Sequence, residues 1–158
     1  MTDIVIQHNV GAYLKAKIGS AFVSATAGGT GDNASVNGAA VDRLSSSTGA
    51  LAASGVFNVF YSATLAATKT LSLTALKVQD SADGSTWADY LTPSAPGVVA
   101  TGASGGSTET GVSTLAVDLN SARRYVRVVF TPDLSASGTD TASLLATAVL
   151  AGYDRIPS

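Results

Sequence analysis

The chain has 158 residues, a net charge of −2 and 13% charged residues. That length suits one domain with one core, and that charge offers no electrostatic pull toward nucleic acid. A hydrophobic content of 46% argues against disorder, and the absence of cysteine excludes a disulfide framework and a thiolate metal site.

The chain begins "MTDIVIQHNVG", with an acid near its start and no long apolar core, so no secretory leader is expected. Residues 1–19 stand apart as an arm or short helix ahead of a single domain over 20–158. Glycine-rich "AGGTGDN" lacks the lysine of a phosphate loop, and "NAS" at Asn33 is a formal glycosylation sequon that carries no weight without a leader. The uncharged stretch from Leu44 to Thr68 is interrupted throughout by Ser, Thr, Gly and Asn and falls short of a membrane span. No membrane partner is expected.

In "GVFNVFYSATL", Phe57, Val59, Tyr61, Ala63 and Leu65 alternate onto one face, with Phe60 the exception on the other. "KTLSLTALKV" carries Leu71 and Leu73 on one phase, then Leu76 and Val78 on the other, the mark of a β-bulge. Next comes "KVQDSADGSTWADY", with three acids, a glycine and the only tryptophan. A calcium loop would need a spaced run of acids and a closing glutamate, which are absent. The better reading is a turn in which Asp80 and Asp83 cap, Gly84 takes positive φ and Trp87 returns to the core.

"GASGG", Gly102 to Gly106, formally fits the nucleophile pattern around Ser104, but its surroundings are a glycine-serine loop without a following helix. "TGVSTLAVDL" alternates again, with Leu115, Val117 and Leu119 opposite Thr114 and Asp118. "RRYVRVVFTP" reads as a strand stopped by Pro132. Its Arg123, Arg124 and Arg127 form the one basic cluster, read as a solvated strand edge or an inter-subunit salt bridge rather than a nucleic-acid patch. "TASLLATAVLAGY" is apolar on both phases and reads as a strand in preference to a helix, buried on both sides in the core or at a subunit seam.

Short strands separated by Gly/Ser turn clusters predict an all-β fold, an antiparallel β-sandwich or jelly-roll-like barrel of about eight strands. No catalytic set emerges. His8 is the only histidine, ten of the eleven acids are aspartates placed mostly in turns, and no His/Cys metal cluster can be assembled. The expectation is a protein without enzymatic activity, cofactor or metal.

"LKVQDSADGSTWADY" (Leu76 to Tyr90) and "ARRYVRVVFTPDLSASGTDTASLLATAVLAGYDRIP" (Ala122 to Pro157) together resemble small structural proteins of tailed bacteriophages. "NGAAVDR", Asn37 to Arg43, fits the same style. The resemblance implies a head-decoration (cement) protein: a module without activity that binds the major capsid protein on the capsid exterior, commonly as a homotrimer, after synthesis in the host bacterial cytoplasm. A tail or head-tail component is the alternative within that class. A carbohydrate-binding sandwich using Trp87 and Tyr90 is the alternative outside it. The expected contacts with capsid or neighbouring subunit are Ile4, Ile6, Tyr13 and Leu14 in the arm, with Leu145 and Val149 on the two-sided strand.

Overall fold

The computed structural model describes residues 10–45, 49–136 and 138–153, and within them the alternating runs form strands. These are β1 (Lys15–Ile18), β2 (Val23–Thr26), β3 (Val36–Asn37), β4 (Val41–Asp42), β5 (Ser54–Leu65), β6 (Thr70–Ser81), β7 (Ala88–Leu91), β8 (Gly97–Thr101), β9 (Ser107–Asp118), β10 (Tyr125–Leu134) and β11 (Thr141–Ala151). All pairings are antiparallel, and the strands make two sheets packed as a β-sandwich. Among the described residues, no helix is long and apolar enough to cross a membrane.

In the five-stranded sheet, β1 and β2 lie end to end along one side of β11, while β5 and then β9 follow on its other side. In the six-stranded sheet, β3 and β4 lie end to end along β10, and β7 and β8 share the far side of β6. The eleven strands are therefore eight ribbons, three of them broken. Periodicity finds the five unbroken ribbons, β5, β6, β9, β10 and β11; the other three are interrupted by the short detours 19–22, 38–40 and 92–96, which leave too few residues to alternate.

The core lies between the sheets. Phe57, Val59 and Leu65 of β5 and Leu144, Ala146, Ala148 and Leu150 of β11 meet Leu71, Leu73, Leu76 and Val78 of β6 and Val126, Val128 and Phe130 of β10. Each buried Leu, Val or Phe stabilises the fold by about 1.5–3 kcal/mol over leaving it exposed.

The phase switch in β6 is a bulge. Thr131 faces Ala75 and Pro132 faces Leu73, so Thr74 is the extra residue, and the switch keeps Leu71 and Leu73 as well as Leu76 and Val78 facing the core. Pro132 corrects the sequence expectation. It does not stop the strand: β10 continues to Leu134, because a proline at a bulge costs the ladder little. β11 is a strand in the middle of its sheet, as its two apolar phases imply, with Leu145 and Val149 half-buried on the outward face.

Lys15–Ile18 also departs from expectation. The stretch is bonded to β11 as part of the sheet, so the sandwich already begins inside the expected 1–19 arm, after a single 3₁₀ turn at Val10–Tyr13. Ile4 and Ile6 lie outside the described residues.

The two open sides of the sandwich are bridged differently. On the β1/β2 side, the Ala39 N–H donates to Gly19 O at 2.7 Å and the Gly38 N–H to Val128 O at 2.8 Å. A Cβ on Gly38 would collide with both of those carbonyls, so only glycine fits this crossing. On the β9 side, two tyrosines span the gap. Tyr61 Oη donates to Val99 O at 2.6 Å and Tyr90 Oη to Asp118 O at 2.7 Å. Tyr61 faces Gly111 directly across the strands and covers it, the arrangement in which an aromatic ring shields the exposed backbone of a strand glycine.

Candidate functional site

The loop between β6 and β7 is a closed turn. Asp83 Oδ1 accepts from the backbone N–H of Thr86 (2.8 Å), from that of Ser85 (2.9 Å) and from Ser81 Oγ (2.8 Å), while Ser81 Oγ itself receives the Gly84 N–H at 2.9 Å. Gly84 takes φ +76°, which glycine adopts without strain. The Thr86 and Ser85 amides, with the Ser81 hydroxyl, hold the Asp83 carboxyl far below the usual carboxylate range. Asp80 is buried, which opposes its ionisation. Arg123 outweighs that burial by donating its Nε (3.0 Å) and Nη2 (2.6 Å) to Oδ1 and its backbone N–H (2.8 Å) to Oδ2, so the pKa is lowered. These oxygens are occupied by protein donors, which is the chemistry of a turn and not of a calcium loop.

Trp87 does not return to the core. It is half-buried on the outer side of the six-stranded sheet, with the Arg127 guanidinium 4.4 Å from its ring centroid. Arg127 donates through Nε and Nη2 to Gln79 Oε1 (2.9 and 2.7 Å), and burial lowers its pKa. Gln79 Nε2 donates to Asp89 Oδ1 at 2.7 Å, and Lys77 Nζ lies 2.9 Å from the same carboxylate. The sequence of contacts Trp87–Arg127–Gln79–Asp89–Lys77 thus covers a ring face that a sugar platform would leave open.

The arginine cluster also corrects the sequence reading. β10 lies between β3/β4 and β6, so it is not an edge. Arg123 pairs with Asp80, and Arg124 pairs with Asp42 through Nη2–Oδ2 at 2.7 Å while sitting 5.0 Å from the Tyr125 ring centroid. The hydrogen bond from Arg124 is the main cause of the lowered Asp42 pKa. All three arginines are engaged within the chain.

Sequence reasoning missed Arg43, which is only 2% exposed. Its Nε and Nη2 donate to Ala52 O (3.0 and 2.5 Å), Nη2 to Leu119 O (2.5 Å), and Nη1 to Arg123 O (2.9 Å) and Ala122 O. Burial lowers its pKa, opposed by the fields of Tyr90, Asp80 and Tyr153. The cage ties the segment ahead of β5 to the turn between β9 and β10. Nothing local in "NGAAVDR" announces it, because four carbonyl acceptors leave no mark on side-chain sequence.

A second buried polar group is Asp140, 2% exposed. Its Oδ1 accepts from the Ala66 N–H at 3.0 Å and from Thr139 Oγ1 at 3.3 Å, while Oδ2 has no partner. It borders a cleft with Thr64, Ser107 and Thr108. No group of three or more His, Cys, Asp or Glu side chains that could hold a metal occurs among the described residues. Ser104 is exposed in the turn between β8 and β9, with a strand on each side. His8 lies outside the described residues.

The outward face of the five-stranded sheet differs in kind. Register places Leu145, Phe60 and Val112 in one row across β11, β5 and β9, and Val149, Val56 and Ala116 in another. Phe22, just before β2 and 78% exposed, lines a notch of about 200 Å³ with Phe60 and Leu145. Two of the expected contact residues, Leu145 and Val149, stand on this face. Tyr13 and Leu14 are exposed immediately ahead of β1, at its margin.

No protein-family model matches the chain, and no curated protein matches it.

Proposed function

We propose that the chain is a structural protein of a tailed-phage virion that binds the outer surface of the assembled capsid as a decoration protein. The sequence pattern of residues 76–90 and 122–157 supports the reading. One structural observation carries it further: Asp80, Asp83, Arg123 and Arg127 are tied into the chain's own framework, whereas the outward face of the five-stranded sheet carries no charge except Asp118 at one corner and is apolar in stripes. Such a surface gains free energy by burial against protein.

A cement protein needs no reactive group. It binds the assembled shell and not the separated capsomers, and so stabilises the shell by mass action. A homo-oligomer presenting several equivalent contacts turns weak individual attachments into avidity. The partner is the major capsid protein, and the location is the capsid exterior.

The test mixes purified protein with empty heads of the parent phage, followed by co-sedimentation and cryo-electron microscopy. Regular added density on the shell, together with a raised temperature of head disruption, is the expected result. Bare heads with the protein located on tails would replace the reading with a tail component, and absence from virions altogether would overturn it.

A further inference from the structure

The outward face of the five-stranded sheet reads almost the same from either side. Taken across the ribbons β2, β11, β5 and β9, one row is Thr26–Thr141–Thr64–Thr108 and the next is Ser24–Ser143–Ser62–Thr110. Then comes Phe22 beside Leu145–Phe60–Val112. With β1 in place of β2, the following rows are Ile18–Thr147–Asn58–Thr114 and Ala16–Val149–Val56–Ala116. None of these twenty positions is charged. Asp118 alone stands at one corner, opposite Ser54.

We infer that this face is the contact by which two copies of the chain associate, about a two-fold axis parallel to the strands. Such an axis exchanges left for right within each row. It sets Thr26 over Thr108 of the second copy, Phe22 over Val112, Leu145 over Phe60, and Val149 over Val56. In four of the five rows hydroxyls meet hydroxyls and apolar groups meet apolar groups, while the remaining row sets Ile18 over Thr114 and Thr147 over Asn58, so the face is largely self-complementary, as an isologous contact requires.

Size and charge agree. Strands of 12 residues at about 3.3 Å rise, in four ribbons about 4.8 Å apart, give a face of roughly 750 Å², close to the ~800 Å² per partner of a stable interface. The same axis puts the two Asp118 carboxylates on opposite margins, three strand spacings or roughly 14 Å apart and beyond a Debye length at physiological salt. A partner of different sequence finds no charge here to set its orientation, whereas a second copy needs none.

This inference builds on the shell-binding reading, assigns this face to the second copy of the oligomer and leaves the shell contact to the rest of the surface, and is measured without any shell. Sedimentation of the free protein over a concentration series is expected to show a dimer. Phe60→Glu and Val112→Lys, both on exposed side chains and hence compatible with folding by circular dichroism, are expected to weaken it at least about a hundredfold by burying unpaired charge. Thr74→Glu, on the other sheet, is the control and should leave association unchanged.

The chain lacks cysteine, so single cysteines add a geometric check. Sheets packed about 10 Å apart let a short bismaleimide join Val149→Cys to Val56→Cys in a mixture of the two variants, and not Val149→Cys to Val98→Cys. A monomer at every concentration, or an oligomer indifferent to Phe60→Glu and Val112→Lys, overturns the inference. Head binding is scored separately, so a monomeric variant that still coats heads leaves the shell reading standing.

Discussion

Arg43→Ala tests the claim that a buried cation, and not an apolar plug, fastens the segment before β5 to the β9–β10 turn. Truncation leaves the carbonyls of Ala52, Leu119, Ala122 and Arg123 without their donor in a site from which water is nearly excluded. Each orphaned acceptor costs about 1–3 kcal/mol. At the lower end the four together cost ~4 kcal/mol, and release of the guanidinium from burial returns part of that. We expect a loss of about 3–4 kcal/mol, or about 6–16 °C in Tm for a domain of this size. Urea denaturation followed by Trp87 fluorescence and far-ultraviolet circular dichroism measures it. Arg43→Met separates the causes, because methionine keeps an apolar stem and supplies no donor. If the carbonyl cage carries the effect, Arg43→Met loses nearly as much as Arg43→Ala. Recovery by methionine to within ~1 kcal/mol of the parent would refute the reasoning and assign the stability to packing alone.

Three further perturbations address the frame. Deleting Thr74 removes the residue that resets the phase of β6 and would turn either the Leu71/Leu73 or the Leu76/Val78 pair outward, so loss of cooperative unfolding is expected, while Thr74→Ser should be silent within ~0.5 kcal/mol. Asp140→Asn keeps an acceptor for the Ala66 amide and removes an unpartnered anionic oxygen, so it should be neutral or stabilising by denaturant titration; Asp140→Ala leaves that amide bare and should cost about 1–3 kcal/mol. Asp80 and Asp83 have pKa values lowered by folding, so their stabilisation is present above the unfolded value near 3.8 and is lost as pH falls below it. Thermal midpoints should therefore drop below about pH 4, and Asp83→Asn should flatten that acid limb; an unchanged limb would remove Asp83 as a contributor.

How much of this was legible depends on which physical rule writes itself into side chains. The alternation of Phe57 to Leu65 is imposed by a pleat with one buried face, so β5 could be read directly. The shift from Leu71/Leu73 to Leu76/Val78 records a bulge because both halves of β6 must still face the core. Pro132 was misread because the rule against proline within a strand has an exception at bulges, and the exception is set by the distant partner strand, where Leu73 faces Pro132 and Thr74 is the extra residue. Trp87 was misread for a similar reason: an aromatic after a turn is assigned to the core by default, and only the fold brings Arg127 over its ring. Arg43 was invisible because its partners are main-chain oxygens.

The rows on the outward face follow from the same reasoning at a larger scale. Sequence showed Phe60 as an exception on β5 and Leu145 and Val149 as a second apolar phase on β11, each without a cause. Register supplies the cause by bringing Phe60 beside Leu145 and Val56 beside Val149, so the exceptions on separate strands become shared rows. The ion pairs Lys77–Asp89, Arg123–Asp80 and Arg124–Asp42 lie elsewhere, in the six-stranded sheet and its turns, and only Asp118 brings a charge to a corner of this face. A surface-exposed sheet face usually carries charge, which keeps it solvated and blocks association. Here the low overall charge of the chain is not spread evenly but withheld from one face, and a face left so is a surface fitted to be covered.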